Sequence, residues 1–155
     1  MTTTTRPRSD ETRLIPVPPT VRDIGLLITR VLLGVILIAH GWEKFVLDGL
    51  STTGEAFESM GVPAAQAAAM FAGAVELIGG ILLIIGLLTP IVAALVVIVM
   101  FGAYLFVHMG AGVFAADGGW ELVAVIGLAV VVFALVGTGR YSVDALIASR
   151  KAQKA

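Results

Sequence analysis

Four long apolar blocks, separated by short polar segments, dominate the sequence. They run from about residue 24 to 46, 67 to 88, 91 to 109 and 120 to 136. Each is close to the roughly 20 residues that an α-helix needs to cross the hydrocarbon core of a bilayer. The pattern therefore predicts an all-α protein, a bundle of four transmembrane helices.

The polar segments between these blocks predict how the helices are connected. Residues 47–63 form a loop with a short interfacial helix, for example Thr53 to Met60, and Pro63 suits the first turn of the second long helix. Thr89-Pro90 predicts a tight break, because proline disfavours helix at the residue before it but is tolerated at a helix start. A glycine-rich loop precedes the fourth helix, and Gly137 is a natural C-terminal cap.

The basic residues predict the orientation in the membrane. Lysine and arginine concentrate on the cytoplasmic side of membrane proteins. Here they lie near both ends of the chain, while the first and last loops carry acids but no base. Both termini are therefore expected in the cytoplasm, and Trp42 and Trp120 then fall near the outer interface, which indole rings prefer. Residues 1–20 are expected to be a disordered tail, 21–147 the four-helix membrane domain and 148–155 a basic tail.

Composition agrees with a multi-pass membrane protein in contact with lipid. Of the 155 residues, 58% are hydrophobic and 14% charged, and the mean hydropathy is +1.00. A soluble domain usually carries about a quarter charged residues. The net charge of −1 gives no reason to expect nucleic acid as a partner. The absence of cysteine excludes disulfides and thiolate metal sites within this chain.

Ionisable side chains within or beside the apolar blocks are the candidates for function. Each costs about 3 kcal/mol in a membrane helix and therefore needs a partner or a wet cavity. At 100° per residue, three of them share one face of the first helix, and the acid of the second helix lies on a face of small residues that permits close helix packing. The candidates are Arg30, His40, Lys44, Glu76, His108 and Glu121.

Helix rise places these candidates at two depths. Glu76 falls near mid-membrane and Arg30 within reach of it, which predicts an Arg30–Glu76 pair that either holds two helices in register or serves a ligand or proton site. The other four candidates fall near the outer end. Lys44 could also simply snorkel to the interface, and His108 could be an ordinary interfacial hydrogen-bonding residue.

Other site types have little support in the sequence. It contains no glycine-rich phosphate loop followed by lysine and serine or threonine, and no HExxH zinc motif. His40 and His108 could in principle ligate one haem, but one of them lies beside a charged interface.

Several motifs together resemble the DoxX family of small bacterial membrane proteins. They are Arg30-Val-Leu-Leu-Gly34, His40-Gly-Trp-Glu-Lys-Phe45, the run from Gly73 to Pro90, His108 with Gly112-Val-Phe114 and Gly118-Gly-Trp-Glu-Leu122, and Gly137-Thr-Gly-Arg-Tyr-Ser-Val-Asp144. The resemblance spans nearly all of residues 22–147, in order. It departs at Trp120, where the family more often has a smaller aromatic residue.

The resemblance implies a four-helix, multi-pass protein of the bacterial plasma membrane that is engaged in redox chemistry. One related protein is a subunit of an archaeal thiosulfate:quinone oxidoreductase, and others are membrane partners of superoxide dismutase or a sulfurtransferase. The leading hypothesis is a quinone-linked membrane subunit of a sulfur or oxidative-stress redox system, with no cofactor of its own beyond a membrane quinone. Its partners would be soluble or membrane redox proteins, and homo-oligomers are possible. The alternatives are a non-catalytic scaffold that docks soluble redox enzymes, and a small transporter or proton pathway.

Overall fold

The computed structural model describes residues 17–153, which are helical and contain no strand. The predicted disorder of the N-terminal tail falls mostly on residues outside this range. The elements in chain order are α1 (Pro19–Trp42) continued by a π-helical turn (Glu43–Leu47), α2 (Leu50–Ser59), α3 (Ala65–Ile85), α4 (Thr89–Ala103) continued by a second π-helical turn (Tyr104–His108), a short 3-10 helix (Ala115–Asp117), α5 (Glu121–Val136) and α6 (Val143–Ala152).

Within residues 17–153, three helices are long and apolar enough to cross a bilayer. They are Pro19–Leu47, Ala65–Ile85 and Thr89–His108. The fourth predicted span corresponds to α5, which is apolar but has only 16 residues. The all-helical class is confirmed, whereas the count of four spans and the cytoplasmic termini stay predictions.

The long helices pack around one apolar core. Helix α1 contacts α3, α3 contacts α2 and α4, and α4 contacts α5. The core draws on all four long helices, for example through Leu37, Leu83, Val96 and Val130, each fully buried. The opposite faces are apolar but exposed, as expected of surfaces that meet lipid rather than water.

Glycines let α1 and α3 approach each other closely. A Cβ atom built on Gly34 would lie 2.7 Å from the carbonyl oxygen of Gly80, and one built on Gly80 would lie 2.7 Å from that of Gly34. Small residues permit this backbone contact in membrane helices, where apolar side chains gain nothing by leaving lipid. The contact sets the register of α1 against α3.

The two ends of the bundle differ in structure. At the turn end, where α3 and α4 are joined, Gly86 (φ +69°) ends α3 and the Asp144 carboxylate accepts hydrogen bonds from the backbone N–H groups of Leu88 and Thr89, at 2.9 and 3.0 Å. At the other end, called the α2 end here, α2 covers the start of α3 and the loop 109–120 leads into α5.

Local boundaries differ from the sequence-based expectation in three places. Helix α2 begins at Leu50, three residues before the expected start. Pro63 lies outside the first turn of α3, because Ala64 caps that helix in the left-handed region at φ 50°. Helix α6 runs from the predicted membrane domain into the predicted basic tail (148–155), and its N-cap Ser142 accepts a hydrogen bond from the N–H of Ala145.

Candidate functional site

A cavity of about 470 Å³ lies at the α2 end, between α3 and α4. These two helices meet near their connecting turn, where Gly79 lies against Val92. Towards the α2 end the facing positions are small (Ala68 and Ala72 on α3, Gly102 and Ala103 on α4), so space remains between the helices. Phe57, Met60, Val62 and Pro63, from α2 and the segment that follows it, close the top of this space.

Lys44 and Glu76 form an ion pair in the cavity wall. The Lys44 ammonium lies 2.7 Å from Glu76 Oε2, and Glu76 is only 5% exposed. The ammonium also lies 3.4 Å from the backbone carbonyl of His40, to which it donates. The pair is neutral overall, which lowers the cost of keeping two charges in a medium of low dielectric constant.

His108 also lines the cavity. Its ring is positioned by a residue that lies outside the cavity. His108 Nδ1 lies 2.6 Å from the carbonyl oxygen of Gly118, in the loop that leads into α5. Glu121 braces the same loop, because its carboxylate accepts a hydrogen bond of 2.8 Å from the N–H of Ala115. Gly118 has φ +83°, a conformation that favours glycine, so the turn that presents its carbonyl depends on that residue.

Both Lys44 and His108 lie in π-helical turns. The turn Glu43–Leu47 extends α1 and the turn Tyr104–His108 extends α4. A π-helical turn inserts an extra residue into a helix, and such turns are frequent at functional sites. These turns were not predictable from the sequence, because the same residues also fit a continuous α-helical pattern.

The structure contradicts the predicted Arg30–Glu76 pair. The Arg30 guanidinium is 1% exposed and donates to the carbonyl oxygens of Thr138 (2.9 Å) and Tyr141 (2.7 Å). Arg30 lies 14 residues before Lys44, about 21 Å along α1, and therefore at the turn end of the bundle. The carbonyls that follow α5 are near it there, and Glu76 pairs with Lys44 instead.

The predicted outer cluster is formed only in part. Lys44 and His108 line the cavity together with Glu76, which had been assigned to a greater depth. His40 lies beside the cavity, with Nδ1 3.6 Å from Glu43 Oε2 and a side chain that is 40% exposed. Glu121 contributes through the loop that holds His108. No sequence pattern pointed to the Gly118 carbonyl, since any backbone carbonyl could have served.

The comparisons with known proteins agree with this architecture. The sequence model of the DoxX family matches residues 25–109, from α1 to the end of the second π-helical turn. That range is more than half of the chain and includes Lys44, Glu76 and His108.

Individual relatives extend the similarity over more of the chain. CatD of Bacillus subtilis, named provisionally as an oxidoreductase, is 39% identical over 89 residues, which cover 57% of this chain and 63% of that protein, less than two thirds of its length. Rv3486, an uncharacterised membrane protein of Mycobacterium tuberculosis, is 30% identical over 145 residues, covering 86% of this chain and 84% of the relative. The inner membrane protein YqjF of Escherichia coli is 29% identical over 132 residues, covering 82% of this chain and 95% of the relative.

No solved structure matches significantly. With the helical architecture, the family match and these membrane relatives taken together, the chain belongs to the DoxX family of membrane proteins.

Proposed function

We propose that this protein is a quinone-linked membrane subunit of a sulfur or oxidative-stress redox system in the bacterial plasma membrane. The observation that carries the proposal is the cavity at the α2 end, where polar groups from three helices meet between apolar walls. Lys44, Glu76 and His108 would bind the quinone headgroup.

The size and chemistry of the cavity fit such a headgroup. Ligand sites are usually clefts of roughly 300–1,000 Å³ with apolar walls and a few placed polar groups. The cavity lies within this range. Lys44 supplies an ammonium donor, and Glu76 and His108 supply further hydrogen-bonding groups at the ring oxygens.

The cavity is also open towards the lipid. Phe71 on α3 and Ile98 on α4 line it, yet they are 44% and 58% exposed. A prenyl tail could therefore leave between these helices while the headgroup stays inside. A water-soluble ligand would have no use for an apolar exit of this kind.

A bound quinone supplies two-electron, two-proton chemistry. Electrons would come from a redox protein associated with this subunit. The residues of this chain bind and orient the headgroup and exclude water from it. The name of CatD, a relative of this chain, is in line with a redox role.

Quinone retention in a cavity-filling variant tests the proposal. Protein purified from native membranes in mild detergent should release quinone on lipid extraction. Gly102→Leu should abolish retention, because a Cβ atom at Gly102 meets only open space and the longer side chain would occupy the cavity. Ala94→Leu, on an exposed face of the same helix, is the matched control and should retain quinone.

The opposite result would favour a scaffold. Wild-type protein that carries no quinone but co-purifies with soluble redox enzymes would refute the quinone site. Equal quinone retention in Gly102→Leu and Ala94→Leu would show that quinone does not bind in this cavity.

A further inference from the structure

The contact between His108 and Gly118 assigns the tautomer of the neutral His108 ring. A carbonyl oxygen only accepts hydrogen bonds, so Nδ1 must donate across the 2.6 Å that separates it from Gly118 O. A neutral imidazole with its proton on Nδ1 has a lone pair on Nε2. Nε2 is then the ring nitrogen available to a ligand, and it is an acceptor.

The other polar groups of the cavity add a second acceptor and little donor capacity. The Glu76 carboxylate accepts only. Lys44 has three N–H groups, of which one points to Glu76 and another to the carbonyl of His40. Two of the three polar side chains that line the cavity therefore present acceptors to a ligand.

Complementarity then distinguishes the two redox forms of the proposed ligand. A quinone ring carries only carbonyl acceptors, which would leave His108 Nε2 without a donor and would offer the Glu76 carboxylate nothing beyond its contact with Lys44. A quinol carries two hydroxyl donors, one for each. Leaving a desolvated polar group without its hydrogen bond is the costly outcome in a binding site.

We infer that the cavity binds the reduced, hydroxyl-bearing headgroup in preference to the oxidised one, with His108 Nε2 as an acceptor of a quinol hydroxyl. The inference rests on the proposed quinone site and adds which redox form that site favours. Glu121 is a positioning residue in this arrangement, because it braces the loop whose Gly118 carbonyl holds the ring.

Histidine NMR tests the assignment of the ring. The chain has two histidines, so a His40→Gln background leaves His108 as the only imidazole. The ¹⁵N spectrum of the detergent-solubilised protein should show a protonated Nδ1 and an unprotonated Nε2. Glu121→Gln keeps an acceptor for the Ala115 N–H and should preserve this spectrum, whereas Glu121→Leu should yield a mixture of tautomers. A ring protonated on Nε2, whether alone or together with Nδ1, would overturn the inference.

Binding measurements test the preference itself. A decyl-tailed benzoquinol should bind to the wild-type protein about tenfold more tightly than the matching benzoquinone, the effect expected of one hydrogen bond to a desolvated acceptor. His108→Phe should abolish the difference, and His108→Lys, which can only donate, should reverse it. His40→Gln should leave it unchanged.

The outcomes separate this inference from the proposed function. If neither probe binds to the wild-type protein, the quinone site itself is refuted. If both bind with equal affinity, or the benzoquinone binds more tightly, the site stands and the preference for the reduced form is wrong.

Discussion

At the scale of single residues, the Lys44–Glu76 contact makes the clearest energetic prediction. Glu76→Gln would leave the Lys44 ammonium buried without its carboxylate, a loss of about 3 kcal/mol in the free energy of unfolding. Combining it with Lys44→Met should recover most of that loss. Thermal unfolding in detergent of the two single variants and the double variant measures the coupling.

The matched control is a second double variant, in which Glu76→Gln is combined with a change at Arg30 instead of Lys44. Arg30→Gln combined with Glu76→Gln should give additive losses, because Arg30 donates to the carbonyls of Thr138 and Tyr141. Strong coupling between Arg30 and Glu76 would contradict the pairing described here.

The Asp144 carboxylate, at the turn end, should make the stability of the protein depend on pH. Desolvation by itself would raise the pKa of the Asp144 carboxyl. Hydrogen bonds from Thr89 and Leu88, and the charge of Arg30, outweigh this effect and hold that pKa below its usual value. The stabilisation by Asp144 is therefore complete above the unfolded-state pKa of about 4, and it is lost as the pH falls through the lower pKa of the folded state.

The Asp144→Asn variant isolates this contribution. At pH 7 it should be about 1 kcal/mol less stable than the wild type, as for the loss of a helix cap. The difference should shrink as the pH is lowered from about 5 to about 3. Unfolding of both proteins by circular dichroism across this range measures it, and a difference that grows at low pH would contradict the assignment.

At the scale of helices, the α1–α3 contact depends on two glycines. Gly80→Ala should destabilise the protein by about 2 kcal/mol, because its methyl group would collide with the backbone carbonyl of Gly34, which cannot move without the whole helix. Gly25→Ala is the control on α1, where a Cβ atom meets nothing within 4 Å, and its stability should be unchanged or slightly higher. Melting temperatures in one detergent compare the two, and equal effects would argue against close α1–α3 packing.

At the scale of the whole molecule, topology is the main prediction. Four spans with both termini inside place the α1–α3 connection and the loop 109–120 outside the cell. Reporter fusions after Gly54 and Gly112 should report the periplasmic or external side, and one after Ala155 the cytoplasm. An inside signal at Gly54 would reverse the orientation. An outside signal at Ala155 with an outside signal at Gly112 would mean that α5 does not cross the membrane.

The positions of the long apolar helices were predictable from sequence, whereas the pairing of side chains was not. Apolar run length marks a membrane helix because the backbone must satisfy its own hydrogen bonds in lipid, so the long helices lie within a few residues of their predicted positions. The face of α1 that bears Arg30 and Lys44, and the small-residue face of α3, also followed from helical periodicity.

Tertiary structure alone decided which cation reaches Glu76. Both Arg30 and Lys44 lie on the correct face of α1, and the choice depends on how α1 slides along α3, which the Gly34–Gly80 contact sets. The orientation of His108 depends likewise on a backbone carbonyl ten residues away, which the loop 109–120 presents. Periodicity determines which face a residue occupies, because helix geometry is local. Register and loop conformation arise from contacts between distant segments, and therefore only the folded chain reveals the cavity that joins Lys44, Glu76 and His108.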